Sequence, residues 1–293
     1  MADGTVRKYR AAATHYLRWL DGAEPAAQRR GDVERYLDEW HADSRPSPAT
    51  VRVRIAALAK FYDYLDSLGL LVDVDGRELR NPVDKVERPR SRRRPNDWLT
   101  PDEDTAIRDA PIDARERIVV ALLRWTGVRV GEACALRWSD VDTVRGFVHI
   151  RESKTDSGVR DVTLLPELSD ELKAWQRHLE QRNLYLPGGP LLATNRGTHM
   201  KTQFAWRLVK RVATRAGVRV REAPDESGWN TSEVTPHTFR RTLATDLLNR
   251  GARLEVVAST LGHADTRVTQ LYAELLAETT RDEVLSAMRR RAS

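Results

Sequence analysis

The chain has 293 residues, long enough for two domains and a sizeable core, and its 40% hydrophobic and 31% charged residues are a globular balance. Its single cysteine, Cys134, rules out an internal disulfide framework and a Cys-rich zinc site. The N-terminus lacks a signal-peptide core, and the longest purely apolar run, Ile118 to Leu123, is far too short to span a bilayer, so a cytoplasmic protein with no membrane partner is expected.

Thr5 to Leu20 has helical periodicity, with Tyr9, Ala12, Ala13, Tyr16, Leu17 and Leu20 on one face. Asp32 reads as the N-cap of a second helix through Tyr36 and Trp40. A third helix starts near Ser47 or Pro48 and carries Val51, Ile55, Leu58, Phe61, Tyr62 and Leu65, with Arg52, Arg54 and Lys60 around the apolar stripe. Gly69 and the polar stretch after it end that helix. Residues 1–85 therefore read as a small helical bundle with nothing catalytic in it.

Residues 86–97 form a basic connection. The run from 85 to 94 holds Lys85, Arg88, Arg90, Arg92, Arg93 and Arg94 against Glu87, which is most of the chain's net charge of +6. Pro89 and Pro95 favour an extended segment. Such a run is either a solvated spacer or a stretch that lies along a polyanion and releases counterions.

A second domain, 98–293, opens on Thr100-Pro101-Asp102-Glu103, in which Thr100 is an N-cap, Pro101 the first helical residue and Glu103 the capping-box partner. Arg115 to Trp125 is an apolar helix ending near Gly127, and a turn then leads to a short helix in which Cys134 is a small packed hydrophobe. Residues 146–151 and 159–164 make a β-hairpin with Lys154 near its tip. Residues 166–179 and 202–216 read as amphipathic helices, the stretch between them as loop with room for one short strand, and 222–234 as a surface loop. Thr235-Pro236 starts a helix with His237 and Arg240 on one face, and Leu261-Gly262-His263 follows, with Tyr272 nine positions beyond that histidine. A tyrosine, two imidazoles and a guanidinium fit a phenol nucleophile, proton-transfer groups and an anion clamp, and the natural target is a phosphate.

Four separated motifs, TGVRVGEACALRWSDVD, SKT on the hairpin, PHTFR and LGHADTRVTQLY, resemble those of the tyrosine recombinase (phage integrase) family in content and order. The resemblance covers about 98–280. It implies a mainly α fold with a small β-sheet, in which a helical, SAM-like core-binding domain precedes a mixed α/β catalytic domain. With the bundle at the start of the chain, the simple, Xer-like two-domain form is expected. By the resemblance, Arg129 and Arg240 hold the non-bridging oxygens of a scissile phosphate, Glu132 orients Arg129, and Lys154 is the general acid, with Arg151 and Arg160 as substitutes. His237 transfers protons, His263 bonds the phosphate, and Tyr272 is the nucleophile. Arg241 departs from the pattern, since the family commonly has histidine there.

The implied activity is site-specific DNA recombination through a 3′-phosphotyrosine, by a mobile-element integrase or a chromosome-dimer resolvase. No cofactor or metal is implied. Double-stranded DNA is the expected partner, contacted by Arg52, Arg54, Lys60 and the basic run. A homotetramer is expected on DNA and a monomer is one option for the free protein; any accessory DNA-bending protein stays open. A type IB topoisomerase-like enzyme and a silent DNA-binding protein of the same fold are the alternatives. Val284, Leu285 and Met288 in the C-terminal segment are expected to dock on a neighbouring subunit.

Overall fold

A computed structural model describes residues 3–72, 77–89, 98–110, 112–151, 159–220 and 232–262. The chain divides into two compact units, 1–93 and 94–293. Among the described residues no helix is long and apolar enough to cross a membrane.

The first unit is helical: α1 (Asp3–Trp19), α2 (Arg30–Ser44) and α3 (Pro48–Ser67). Ser47 caps α3 as expected, its Oγ accepting the Thr50 N–H at 3.3 Å with Pro48 at the first helical position. Asp32 is not the N-cap of α2. The helix begins earlier, and Asp32 in its first turn accepts the Arg29 backbone N–H at 3.0 Å. The core gathers Tyr16, Val33, Tyr36, Trp40, Ile55, Leu58 and Tyr62, with Val83 and Val86 packed onto it. The segment expected to be extended from Lys85 thus still packs on this unit at Val86.

Two of the phenols in this core are hydrogen-bonded to one another, and one of them also to the backbone. The Tyr16 and Tyr62 oxygens lie 2.8 Å apart, and Tyr62 also donates to the Pro25 carbonyl at 3.1 Å. Burial pushes the pKa of Tyr62 far up, and raises those of Tyr16 and Tyr36. These are structural tyrosines.

The second unit contains α4 (Pro101–Asp109), α5 (Ala114–Thr126), α6 (Val130–Ala135), strands β1 (Val141–Asp142), β2 (Phe147–Ile150) and β3 (Arg160–Thr163), then α7 (Pro166–Glu180), α8 (Thr202–Arg215), α9 (Pro236–Asn249) and α10 (Leu254–Leu261). The sheet is antiparallel with order β1-β2-β3, and Val148 pairs with Val162. The short β1 was not expected, whereas the hairpin β2-β3 was. Val148, Ile150 and Val162 are buried, so one face of the hairpin closes on the core. The loop before α8 makes only isolated bridges, Arg137 with Pro190 and Ala193 with His199, and no strand.

Helix α5 is the axis of this unit, with α7, α8 and α9 packed around it. Both expected boundaries hold. Thr100 and Glu103 exchange capping-box bonds at 3.2 and 2.9 Å, and Gly127 ends α5 at φ +60°. Cys134 is buried, which pushes its thiol pKa up to about 11, so it packs as a hydrophobe.

A buried ion network joins α4, α5 and α9. Arg124 donates from Nε to Asp104 at 2.7 Å and from Nη2 to Asp246. Removing one partner of a buried pair leaves the other charge uncompensated. Arg124→Met is therefore expected to cost roughly 3–5 kcal/mol of stability, read from the urea midpoint. A change no larger than that of a surface pair, under about 1 kcal/mol, would show that the network does not hold α9 in place.

Candidate active site

The turn at Gly127 brings the first site residue into position. A Cβ there would lie 2.7 Å from Leu261 Cδ2 and 2.9 Å from Leu243 Cδ2, so only glycine allows α5, α9 and α10 to approach this closely. Two residues on, Arg129 is the N-cap of α6. Its backbone N–H donates to Glu132 Oε2 at 2.9 Å and its Nη1 to Oε1 at 2.7 Å, so one carboxylate fixes both backbone and guanidinium. Burial alone would raise the Glu132 pKa. The Arg129 bonds and the charge of Arg160 outweigh burial and hold it below the usual range.

Arg240 comes from the second turn of α9 and is 1% exposed. Its Nη1 donates to the Gly127 carbonyl at 2.8 Å and its Nη2 to the Leu261 carbonyl at 2.6 Å. Arg129 Nη2 reaches the next carbonyl, Gly262, at 3.2 Å. Arg160 Nε takes the preceding one, Thr260, at 2.7 Å, while its Nη2 lies 3.1 Å from Glu132 Oε2. Three successive carbonyls at the C-terminal end of α10 are thus each bonded by a different arginine. A helix C-terminus carries partial negative charge, so it offsets part of this positive charge. Among the described residues the cluster gathers Arg129, Arg160 and Arg240 with Glu132, a positive setting that suits an anion.

His237 stands one turn before Arg240. Removal of water from around the ring, then the charges of Arg240 and Arg129, lower its pKa below 6.5, although the residue is exposed. The imidazole is therefore neutral near pH 7 and able to accept a proton.

The structure brings together Arg129, Glu132, His237 and Arg240. Lys154, His263 and Tyr272 lie outside the described residues. Arg151 is exposed and donates to Asp140 at 2.7 Å. Arg160 was expected only as a stand-in acid, yet it lies inside the cluster. Strand alternation was the available signal, because Arg160 shares a strand face with Val162 and an arginine on a buried face needs a partner.

Of the basic residues expected along DNA, Arg52 is exposed and Lys60 pairs with Asp63 at 2.9 Å. Arg54 is occupied within its own unit. It donates to Tyr36 Oη at 2.6 Å and its Cζ lies 3.7 Å over the Trp40 ring. Lys85 and Arg88 are exposed, and Arg90, Arg92, Arg93 and Arg94 lie outside the described residues.

Comparison with known proteins adds four findings. Residues 97–279 match the model of the phage integrase family. Tyrosine recombinase XerD of Ralstonia nicotianae is 32% identical over 288 residues, spanning 95% of this chain and 86% of that protein. In fold, the chain resembles the XerH site-specific recombinase bound to its palindromic difH substrate in a post-cleavage complex, with TM-score 0.75, 20% identity and coverage of 97% and 80%. It also resembles a lambda integrase tetramer bound to a Holliday junction, with TM-score 0.70, 18% identity and coverage of 93% and 72%. A family match over more than half of the chain, with a relative this similar along nearly all of it, places the chain in the phage integrase family: it is a tyrosine recombinase, a DNA strand-transferring enzyme.

Proposed function

We propose that this recombinase cuts and rejoins specific DNA sites with Tyr272 as nucleophile and a phosphate-binding centre built on Arg129 and Arg240. The observation that carries the reading is the meeting of these two arginines, far apart in the chain, at the end of α10 that leads directly into His263. Planar, permanently charged guanidinium favours the extra charge that develops on five-coordinate phosphorus. Arg129, whose side chain is 36% exposed, meets the phosphate first. Arg240, buried behind it, adds its charge and holds the turn.

The phenolic oxygen of Tyr272 bonds to phosphorus as the bond from phosphorus to the 5′ oxygen breaks. The phenol proton passes to His237, and Lys154 protonates the departing 5′ oxygen. The products are a 3′-phosphotyrosine and a free 5′ hydroxyl. A 5′ hydroxyl from another strand then reverses the step with no input of ATP. Sequence elimination supports the nucleophile. Beyond residue 94 the chain has two tyrosines, and Tyr185 packs edge-on against Trp138 with ring centroids 5.3 Å apart. The tetramer known for lambda integrase supports four subunits acting on two duplexes, with Lys85 to Arg94 lying along the DNA.

The test is incubation with DNA flanking the gene, followed by mapping of covalent protein–DNA ends. A 3′ adduct on Tyr272 at a defined position, with joining of two sites, is expected. Relaxation of any supercoiled plasmid without joining would favour the topoisomerase-like reading, and binding without an adduct the silent one.

His237 makes the reaction pH-dependent in a stated direction. Because its pKa in the folded protein lies below 6.5, the ring stays neutral as pH falls through 6.5. The kcat/KM for cleavage should hold through that point and decline only below it. The unfolded chain takes up this proton first, so stability also declines as pH falls below 6.5. His237→Gln should lose the acid limb of the rate profile. An identical limb in the variant would move the proton acceptor elsewhere.

A further inference from the structure

We propose that Arg160 is a positioning residue that ties the β2-β3 hairpin to the phosphate-binding turn and sets how strongly Glu132 holds Arg129. The proposal rests on the reading of Arg129 as a phosphate ligand and adds to it a residue that acts through Glu132 and the end of α10.

Arg160 opens β3, six positions after Lys154 in the sequence. Its side chain is 6% exposed, a cost that an arginine bears only when its donors are satisfied. One bond crosses to α6, at Glu132 Oε2, and another to α10, at the Thr260 carbonyl. A hairpin, a short helix and the end of a second helix therefore meet on one planar group. Lysine, with a single amine, has no equivalent fork.

The contact with Gly262 makes the fit close. Gly262 has φ +66°, and a Cβ built on it would fall 2.8 Å from Arg160 Nη1, 3.0 Å from Cδ and 3.1 Å from Cζ. The guanidinium fills the space that a side chain would take. Glycine here serves both the left-handed turn that ends α10 and the approach of Arg160.

Charge gives the second half of the argument. Glu132 Oε1 accepts from Arg129 Nη1, and Oε2 accepts from both the Arg129 backbone N–H and Arg160. Arg160 thus draws part of the carboxylate's charge away from Arg129, which leaves Arg129 more positive toward an incoming phosphate. Without Arg160, Glu132 would neutralise Arg129 more fully and the turn would lose one of its three anchors. Both effects act on the rate of cleavage more than on affinity, because overall DNA affinity comes from many phosphate contacts.

The experiment uses the full chain carrying Arg160→Lys, which keeps the charge beside Glu132, and in parallel Gly262→Ala, which presses on the same contact from the other side. Hydrogen exchange is read at the amides of α10 and α5, and single-turnover cleavage and DNA affinity are measured on the site found for the wild type. Exchange at the last turn of α10 should rise roughly tenfold or more, as expected for loss of a charge-assisted hydrogen bond, with α5 unchanged. Cleavage should fall on the order of 10²-fold, the scale of a small misplacement of catalytic groups, with DNA affinity unchanged. Wild-type exchange in both variants would overturn the proposal, as would a loss of affinity equal to the loss in rate. If the wild type itself forms no adduct, the reading of Arg129 fails, and the exchange measurement still decides whether Arg160 holds the turn.

Discussion

Tyr272→Phe is expected to bind recombination sites with wild-type affinity and to form no covalent adduct. Phenylalanine keeps the ring and removes only the oxygen that attacks phosphorus. Free phenol has a pKa near 10, so the site must supply both the base and the positive field that make it reactive near neutral pH. His237 is neutral and exposed, and the arginines supply the field. Loss of a covalent nucleophile lowers rate by about a million-fold where it has been measured in a hydrolase, and an effect on that scale would leave no detectable adduct. Affinity is untouched because DNA is held by phosphate contacts elsewhere. Adduct mapped to Tyr185 or to a tyrosine of the first unit would overturn the assignment.

Arg129→Lys and Arg240→Lys should each slow cleavage by roughly 10²–10³-fold, the cost of removing one preorganised donor, yet they should differ in stability. The Arg129 side chain is 36% exposed, and lysine can keep its charge beside Glu132, so the melting temperature should stay near that of the wild type. Arg240 is 1% exposed and bonds two backbone carbonyls. Lysine at that position leaves at least one buried acceptor unsatisfied, at about 1–3 kcal/mol. For a unit of this size each kcal/mol shifts the melting temperature by about 2–4 °C. The double variant should slow cleavage by less than the product of the two single effects, since both residues serve one phosphate. Multiplicative effects would show that the two arginines do not share a site, and a melting temperature unchanged in Arg240→Lys would show that its carbonyl bonds do not hold the turn.

Helix starts were legible wherever a side chain closes the first turn locally. Ser47-Pro48 and Thr100-Pro101-Glu103 announce their helices because cap and acceptor lie within four residues. Asp32 misled because a carboxylate three residues into a helix accepts the same kind of backbone N–H as one at the cap, and the true start at Arg29 has no cap side chain to mark it. The hairpin showed in its apolar alternation, but β1 has two residues and exists only through its pairing with β2. The motifs brought Arg129, Glu132, His237 and Arg240 into one hypothesis, and for Lys154, His263 and Tyr272 the motifs and the family carry the assignment. The groups that hold Arg160 and Arg54 were not legible for one reason. A basic residue reads as a surface charge until the tertiary fold supplies a carboxylate, a carbonyl or an indole face to hold it.

The three arginines on the end of α10 also fix when this enzyme becomes dangerous to DNA. Their bonds to Thr260, Leu261 and Gly262 span 100, 21 and 133 residues of chain. Contacts that close such long loops form late, because the entropy of closure is lost before the contact repays it. A ribosome-bound chain that has not emerged past Gly262 has the two long-range arginines but nothing for them to grip. Cleavage that depends on this cluster is therefore expected only once the chain through Gly262 has been synthesised and has closed on the three arginines.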